Sequence, residues 1–140
     1  MIQPHWEHFD HGADIGVRGI GPTQEEAFVQ AALALTAVIL DPTLVRPEQE
    51  VAIACDLAEG ALGLPDWLNA VIFEMATRRM LFGRFALQLT PGRASGRAWG
   101  EPVDPVRHQP AVEVKGATYT ELRVERETDG SWVAQCVVDV

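Results

Sequence analysis

Positive charge is scarce in this chain. Against 20 Asp and Glu it carries 11 Lys and Arg, a formal net charge of −9 at pH 7 and a pI of about 4.8. That balance opposes non-specific attachment to nucleic-acid phosphates or anionic lipid, so any RNA connection is expected to run through a partner. Cysteine is scarce as well. Cys55 and Cys136 are too few for a disulfide framework, and both fall in apolar, strand-like stretches that commonly bury reduced thiols. No uninterrupted apolar run approaches the roughly 20 residues of a membrane span, and the opening "MIQPHWEHFDHG" lacks the basic and apolar regions of a secretory signal. The expectation is a cytoplasmic protein with no membrane attachment. Also missing are a nucleotide-binding glycine loop, a nucleophile elbow, a CxxC and an HExxH, so no self-sufficient catalytic site is written here.

What is present suits one domain over residues 1–140. Hydrophobic residues make up 47% of the chain, enough for a sizeable core. "DIGVRGIG" from Asp14 alternates Ile15 and Val17 on one face and reads as a first strand ended by Gly19 and Gly21. Thr23 and Glu26 in "TQEE" form a capping box that starts a helix, continued by Ala27, Ala31, Ala34, Leu35 and Val38 and stopped by Asp41-Pro42. "EVAIACDL" reads as a second strand. A helical region follows from about Ala58 to Met80, with a fresh start at Pro65-Asp66. "FGRFALQLT" and "GRASGRAWG" read as strands joined by Pro91-Gly92. After the proline-rich loop "EPVDPVRHQP", "AVEVKGATYTELRVERE" and "SWVAQCVVDV" read as strands joined by a hairpin turn at Asp129-Gly130. Strands interrupted by two main helices imply an α+β two-layer sandwich with a largely antiparallel sheet.

The densest polar cluster is "HWEHFDHGAD". His5, His8 and His11 recur every third residue, which would align them on a helix but alternates them across a strand, so the spacing argues against a zinc triad. Asp10 and Asp14 flank a glycine at the entry to a strand, where carboxylates can converge on a hard cation or satisfy turn N–H groups. At the other end the strand pattern runs to the last residue, leaving Asp139 beside the carboxylate of Val140. Two negative charges about one strand rise apart, ~3.3 Å, repel unless solvated or joined by a cation. Lys115 in "EVKG" is the sole lysine, all other basic residues being arginine, and an ammonium does not substitute freely for a guanidinium. It reads either as an exposed strand residue or as a site-specific cation.

Taken in order, "DHGADIGVRGIGPTQEEAFVQAALAL", "DWLNAVIFE", "GEPVDPVRH", "EVKGATYTEL" and "WVAQCVVDV" resemble the archease family over nearly the whole chain. The resemblance implies an accessory protein of an RtcB-type RNA ligase rather than an enzyme. Archeases promote guanylylation of that ligase, in which its histidine accepts GMP from GTP, and so support multiple turnover. It also implies a metal-binding tip made of Asp14, Asp139 and the Val140 carboxylate, with Asp10 a nearby carboxylate. Calcium is the family's usual ion, and oxygen-only ligation admits magnesium or manganese. Lys115 resembles a lysine on the partner-facing surface. His11, Asp104 and His108 match motif positions without individual roles. Gly12 stands where threonine is common, and Thr120 where histidine is common. The rivals are a metal-dependent phosphoester hydrolase, disfavoured by the lack of an evident base or nucleophile, and a chaperone-like module, which would need an exposed apolar patch.

Overall fold

The computed structural model describes residues 2–140. In chain order the elements are β1 (His5–His11), β2 (Asp14–Gly21), α1 (Gln24–Ile39), β3 (Gln49–Asp56), α2 (Gly63–Arg78), β4 (Met80–Thr90), β5 (Arg93–Pro102), α3 (Pro105–His108), β6 (Gly116–Ala117), β7 (Arg123–Arg126) and β8 (Trp132–Asp139). The α+β, antiparallel architecture with two main helices is as expected, and the strands divide into two sheets. One runs β1-β2-β8-β6, with β7 also pairing β8; the other runs β3-β5-β4.

Helix α1 starts as its capping box requires, with the Glu26 N–H donating to Thr23 Oγ1 at 3.1 Å. Its body is apolar on nearly every side because it packs on β1, β2 and β8 of one sheet and on β4 of the other. Helix α2 likewise touches β3 and β4 of one sheet and β6 and β8 of the other. Small residues permit this closeness. A Cβ on Gly19 would stand 2.0 Å from the Ala27 carbonyl oxygen, so α1 rests directly on the β2 backbone. Buried polar groups are paired: Thr36 Oγ1 donates to the Phe82 carbonyl at 2.8 Å, and Trp67 Nε1 donates to the Phe28 carbonyl at 3.2 Å. Both cysteines are free; burial pushes the Cys136 thiol up to about 12 and raises that of half-buried Cys55. Among the described residues no helix is long and apolar enough to cross a membrane.

Three local expectations change. A strand, β1, precedes the one expected to be first; its mostly exposed, polar sequence hid it, since it is a sheet edge. It joins β2 through Gly12-Ala13, with Gly12 at φ +62° and Ala13 not among the positive-φ residues, which fits a type II′ turn. The second helical region begins with a 3₁₀ turn, Gly60–Leu62, before α2. "AVEVKGATYTELRVERE" is not one strand: the Ala111 N–H donates to the Ile39 carbonyl at 2.8 Å, at the end of α1, and regular pairing begins only at Gly116. Between Ala117↔Val138 and Arg123↔Gln135, residues 118–122 face only Cys136 and Val137, and Glu121 takes φ +54°. The chain bulges there, which hydrophobic alternation cannot reveal.

Candidate functional site

Register brings the two ends of the chain together. In β1–β2, His11 faces Asp14. The β2–β8 ladder runs to Ile15↔Val138, and one further step sets Asp14 against Asp139. Gly116 of β6 faces Asp139 from the other side. The end of the five-stranded sheet thus carries a row of His11, Asp14, Asp139 and Gly116, all directed to one face because paired residues share a face. Cβ atoms of such opposed residues lie roughly 5 Å apart, close enough for two carboxylates to repel or to share a cation. The row lies on the face away from α1, since the Gly19 position, odd-numbered in the alternation of β2, is the one pressed against that helix.

The same register separates other sequence-level candidates. Asp10 faces Ile15, so it projects from the sheet face opposite to Asp14 and Asp139. Three-residue spacing likewise splits the histidines: His8 Nε2 lies 2.7 Å from the Ala34 carbonyl of α1, whereas His5 and His11 belong to the other face. Lys115 is exposed and precedes β6; its backbone N–H donates to the Asp139 carbonyl at 2.8 Å, and its side chain is in no ion pair among the described residues. Asp139 is exposed, and Asp14 and Val140 are half-buried. Among the described residues, no three His, Cys, Asp or Glu side chains gather closely enough to hold an ion by themselves.

Asp104 and His108 have structural work instead. Asp104 Oδ1 caps α3 by accepting from the Val106 and Arg107 N–H groups at 3.1 and 3.2 Å. His108 is buried; its Nδ1 accepts the Asp104 N–H at 2.8 Å, which leaves the ring proton on Nε2, donated to Glu101 Oε2 at 2.9 Å. Glu101 also accepts from Arg107 and, at 2.7 Å, from the Arg46 N–H. The Arg107 bond first, then those from Arg46 and His108, outweigh the opposing effect of burial and hold the Glu101 carboxyl down to about 2. This cluster pins the loop after β5. Sequence reading noted "GEPVDPVRH" but missed Glu101, although a glutamate in an alternating strand beside two cationic or ring donors was the available signal.

Comparison with known proteins places the chain in a family. Residues 6–140 match the model of the archease protein family (MTH1598/TM1083). The chain is 37% identical to the protein archease of Pyrococcus furiosus, covering 96% of this chain and 98% of that one, and 42% identical to that of Methanopyrus kandleri, covering 96% and 99%. The solution structure of protein 1598 from Methanobacterium thermoautotrophicum superposes with a TM-score of 0.83 at 30% identity, over 96% of this chain and 98% of that one. The Thermotoga maritima crystal structure, described as an archease and possible chaperone, shares the fold at a TM-score of 0.59 and 18% identity, covering 96% of each chain. The chain belongs to the archease family.

Two outcomes follow from the site. Because the folded value of Glu101 lies below its ordinary value of 4.5, its contribution is complete above about pH 4.5 and is lost as pH falls toward about 2. Glu101→Gln is expected to lower stability at pH 7 by about 2 kcal/mol, the scale of hydrogen bonds to a charged group, and to flatten the acid limb of a Tm-against-pH curve. An unchanged limb would refute the assignment. Asp14→Asn or Asp139→Asn, measured in chelator, is expected to raise stability by up to about 1 kcal/mol by removing an opposed like-charge pair. Equal or lower melting temperatures for both variants would show that the carboxylates do not face each other.

Proposed function

We propose that this protein is a metal-binding accessory factor that activates an RtcB-type RNA ligase in the cytoplasm, promoting its guanylylation and multiple turnover in tRNA splicing or RNA repair, without catalytic activity of its own. The observation that carries this reading is the β2–β8 register, whose last pair, Ile15↔Val138, leaves Asp14 and Asp139, remote in sequence, as the next residues at its end. Nothing in the hydrophobic core requires two carboxylates there, and like charges directly opposed across strands are unfavourable.

The donor set fits a hard cation. Asp14 and Asp139 would supply two carboxylates, and the Val140 carboxylate, one residue on, a third; calcium favours six to eight oxygens, which leaves places for water or for a partner's groups. A bound cation would neutralise these charges and offer open coordination positions. Magnesium or manganese meets the same oxygen chemistry with stricter geometry. The chain's own residues do the positioning: the Lys115 N–H fixes the Asp139 backbone, while the unpaired Lys115 side chain offers a cation to the ligase beside an acidic edge. A net charge of −9 suits contact with the ligase more than direct hold on RNA.

A second reading has its own observation. Ile39, Ile72, Met75, Met80, Leu81, Val103, Val112 and Val114 line a mostly apolar groove of about 400 Å³, and Phe73, next to Ile72 in the sequence of α2, is 62% exposed. Such a surface is what a chaperone-like module would use, and the Thermotoga structure's description carries that word.

Single-turnover guanylylation of a cognate ligase, with and without this protein, separates the readings. Ligase activation is expected to rise with the wild type, to fall with Asp139→Asn, and to survive Phe73→Ser. Equal rates with and without the protein would refute the accessory role; loss with Phe73→Ser but not with Asp139→Asn would favour the groove.

A further inference from the structure

We propose that Asn69 of α2 is a positioning residue that fixes β6 and, through it, the Lys115–Asp139 end of the sheet; the consequence for ion binding rests on the metal-site reading above. Strand β6 is only two residues long, Gly116 and Ala117, and is flanked on β8 by the Lys115 N–H donating to the Asp139 carbonyl and the Thr118 N–H donating to the Val137 carbonyl. A ladder of two residues leaves the outer side of β6 without a strand partner. Its outer side is closed by a side chain: Asn69 Oδ1 accepts the Ala117 N–H at 2.9 Å, and Asn69 Nδ2 donates to the Ala117 carbonyl at 3.4 Å. The amide thus occupies the place of one more strand, satisfying both backbone groups of the same residue.

The consequence runs along the ladder. Gly116, next to Ala117, faces Asp139, and the Lys115 N–H donates to the Asp139 carbonyl. Helix α2 therefore sets where Lys115 stands relative to Asp139, although no residue of α2 belongs to the acidic row. Helix stability does not account for an asparagine here, since its side chain competes with helical backbone bonding. Its exposure excludes a core-filling role.

The test uses Asn69→Leu, which keeps a helix former of similar size but neither hydrogen bond, and Asn69→Ala as a second variant. Amide hydrogen exchange and calcium titration are measured on the full chain, with Asp139→Asn as the control for the ion site. Exchange at Ala117 and Lys115 is expected to quicken on the order of tenfold while amides between β1 and β2 keep their protection. Calcium affinity is expected to fall about tenfold or more, as when an outer-shell partner of a metal ligand is removed. Unchanged exchange at Lys115 in both variants overturns the proposal, and so does full calcium affinity alongside quickened exchange. If Asp139→Asn leaves calcium affinity unchanged, the ion site itself is wrong; Lys115 exchange then decides alone whether Asn69 fixes this end of the sheet.

Discussion

Antiparallel pairing of β2 with β8 is the constraint on which the rest of this molecule depends. It joins the beginning of the chain to its end and buries Val17, Ala134, Cys136 and Val138 around α1. It also leaves no freedom in which residues meet beyond the last apolar pair. A one-residue slip would turn every β8 side chain to the other face, taking Cys136 and Val138 away from α1 and turning Asp139 toward it. Since apolar burial is worth roughly 25 cal/mol per Å², the core pins the register firmly, and the register delivers two carboxylates to one spot. The core thus stabilises an arrangement that its own energetics would not select.

The two helices extend this logic. In contact with both sheets, α1 and α2 bury apolar side chains on more than one side, and their few polar atoms are spent on specific tethers. Thr36 ties α1 to β4, and Trp67 ties α2 to α1. Asn69 ties α2 to β6, and the Glu101 cluster ties the loop after β5 in the same manner, holding a wall of the apolar groove through Val103. Polar groups in this protein mainly fix connections that are too short or too irregular to hold themselves. The exception is the acidic row, where Asp14 and Asp139 are in no ion pair among the described residues.

Much of this was legible in the sequence wherever periodicity and turn chemistry agreed. Thr23 and Glu26 located the start of α1, and Pro91-Gly92 and Asp129-Gly130 marked hairpins that are present. Asp14 and Asp139 stood out as polar residues at the ends of apolar alternation. What alternation could not convey was pairing. Strand β1 escaped notice because an edge strand of histidines and acids has no apolar stripe, and Asp10 looked equivalent to Asp14 until the hairpin put them on opposite faces. Val112 and Val114 mimicked a strand while crossing the end of α1 toward the groove. Asn69 carried no signal, because its partner is the backbone of a residue far along the chain.

The proposed sharing of one cation by Asp14 and Asp139 has a thermodynamic signature. Calorimetric titration of calcium into the wild type, Asp14→Asn, Asp139→Asn and the double variant tests it most directly, because a double-mutant cycle measures whether two residues share a ligand. Residues acting independently give effects that add within about 0.5 kcal/mol. If the two carboxylates share one ion, each single variant weakens binding severely and the double variant loses clearly less than the sum of the two. Wild-type affinity in either single variant, or strict additivity across the cycle, would contradict it.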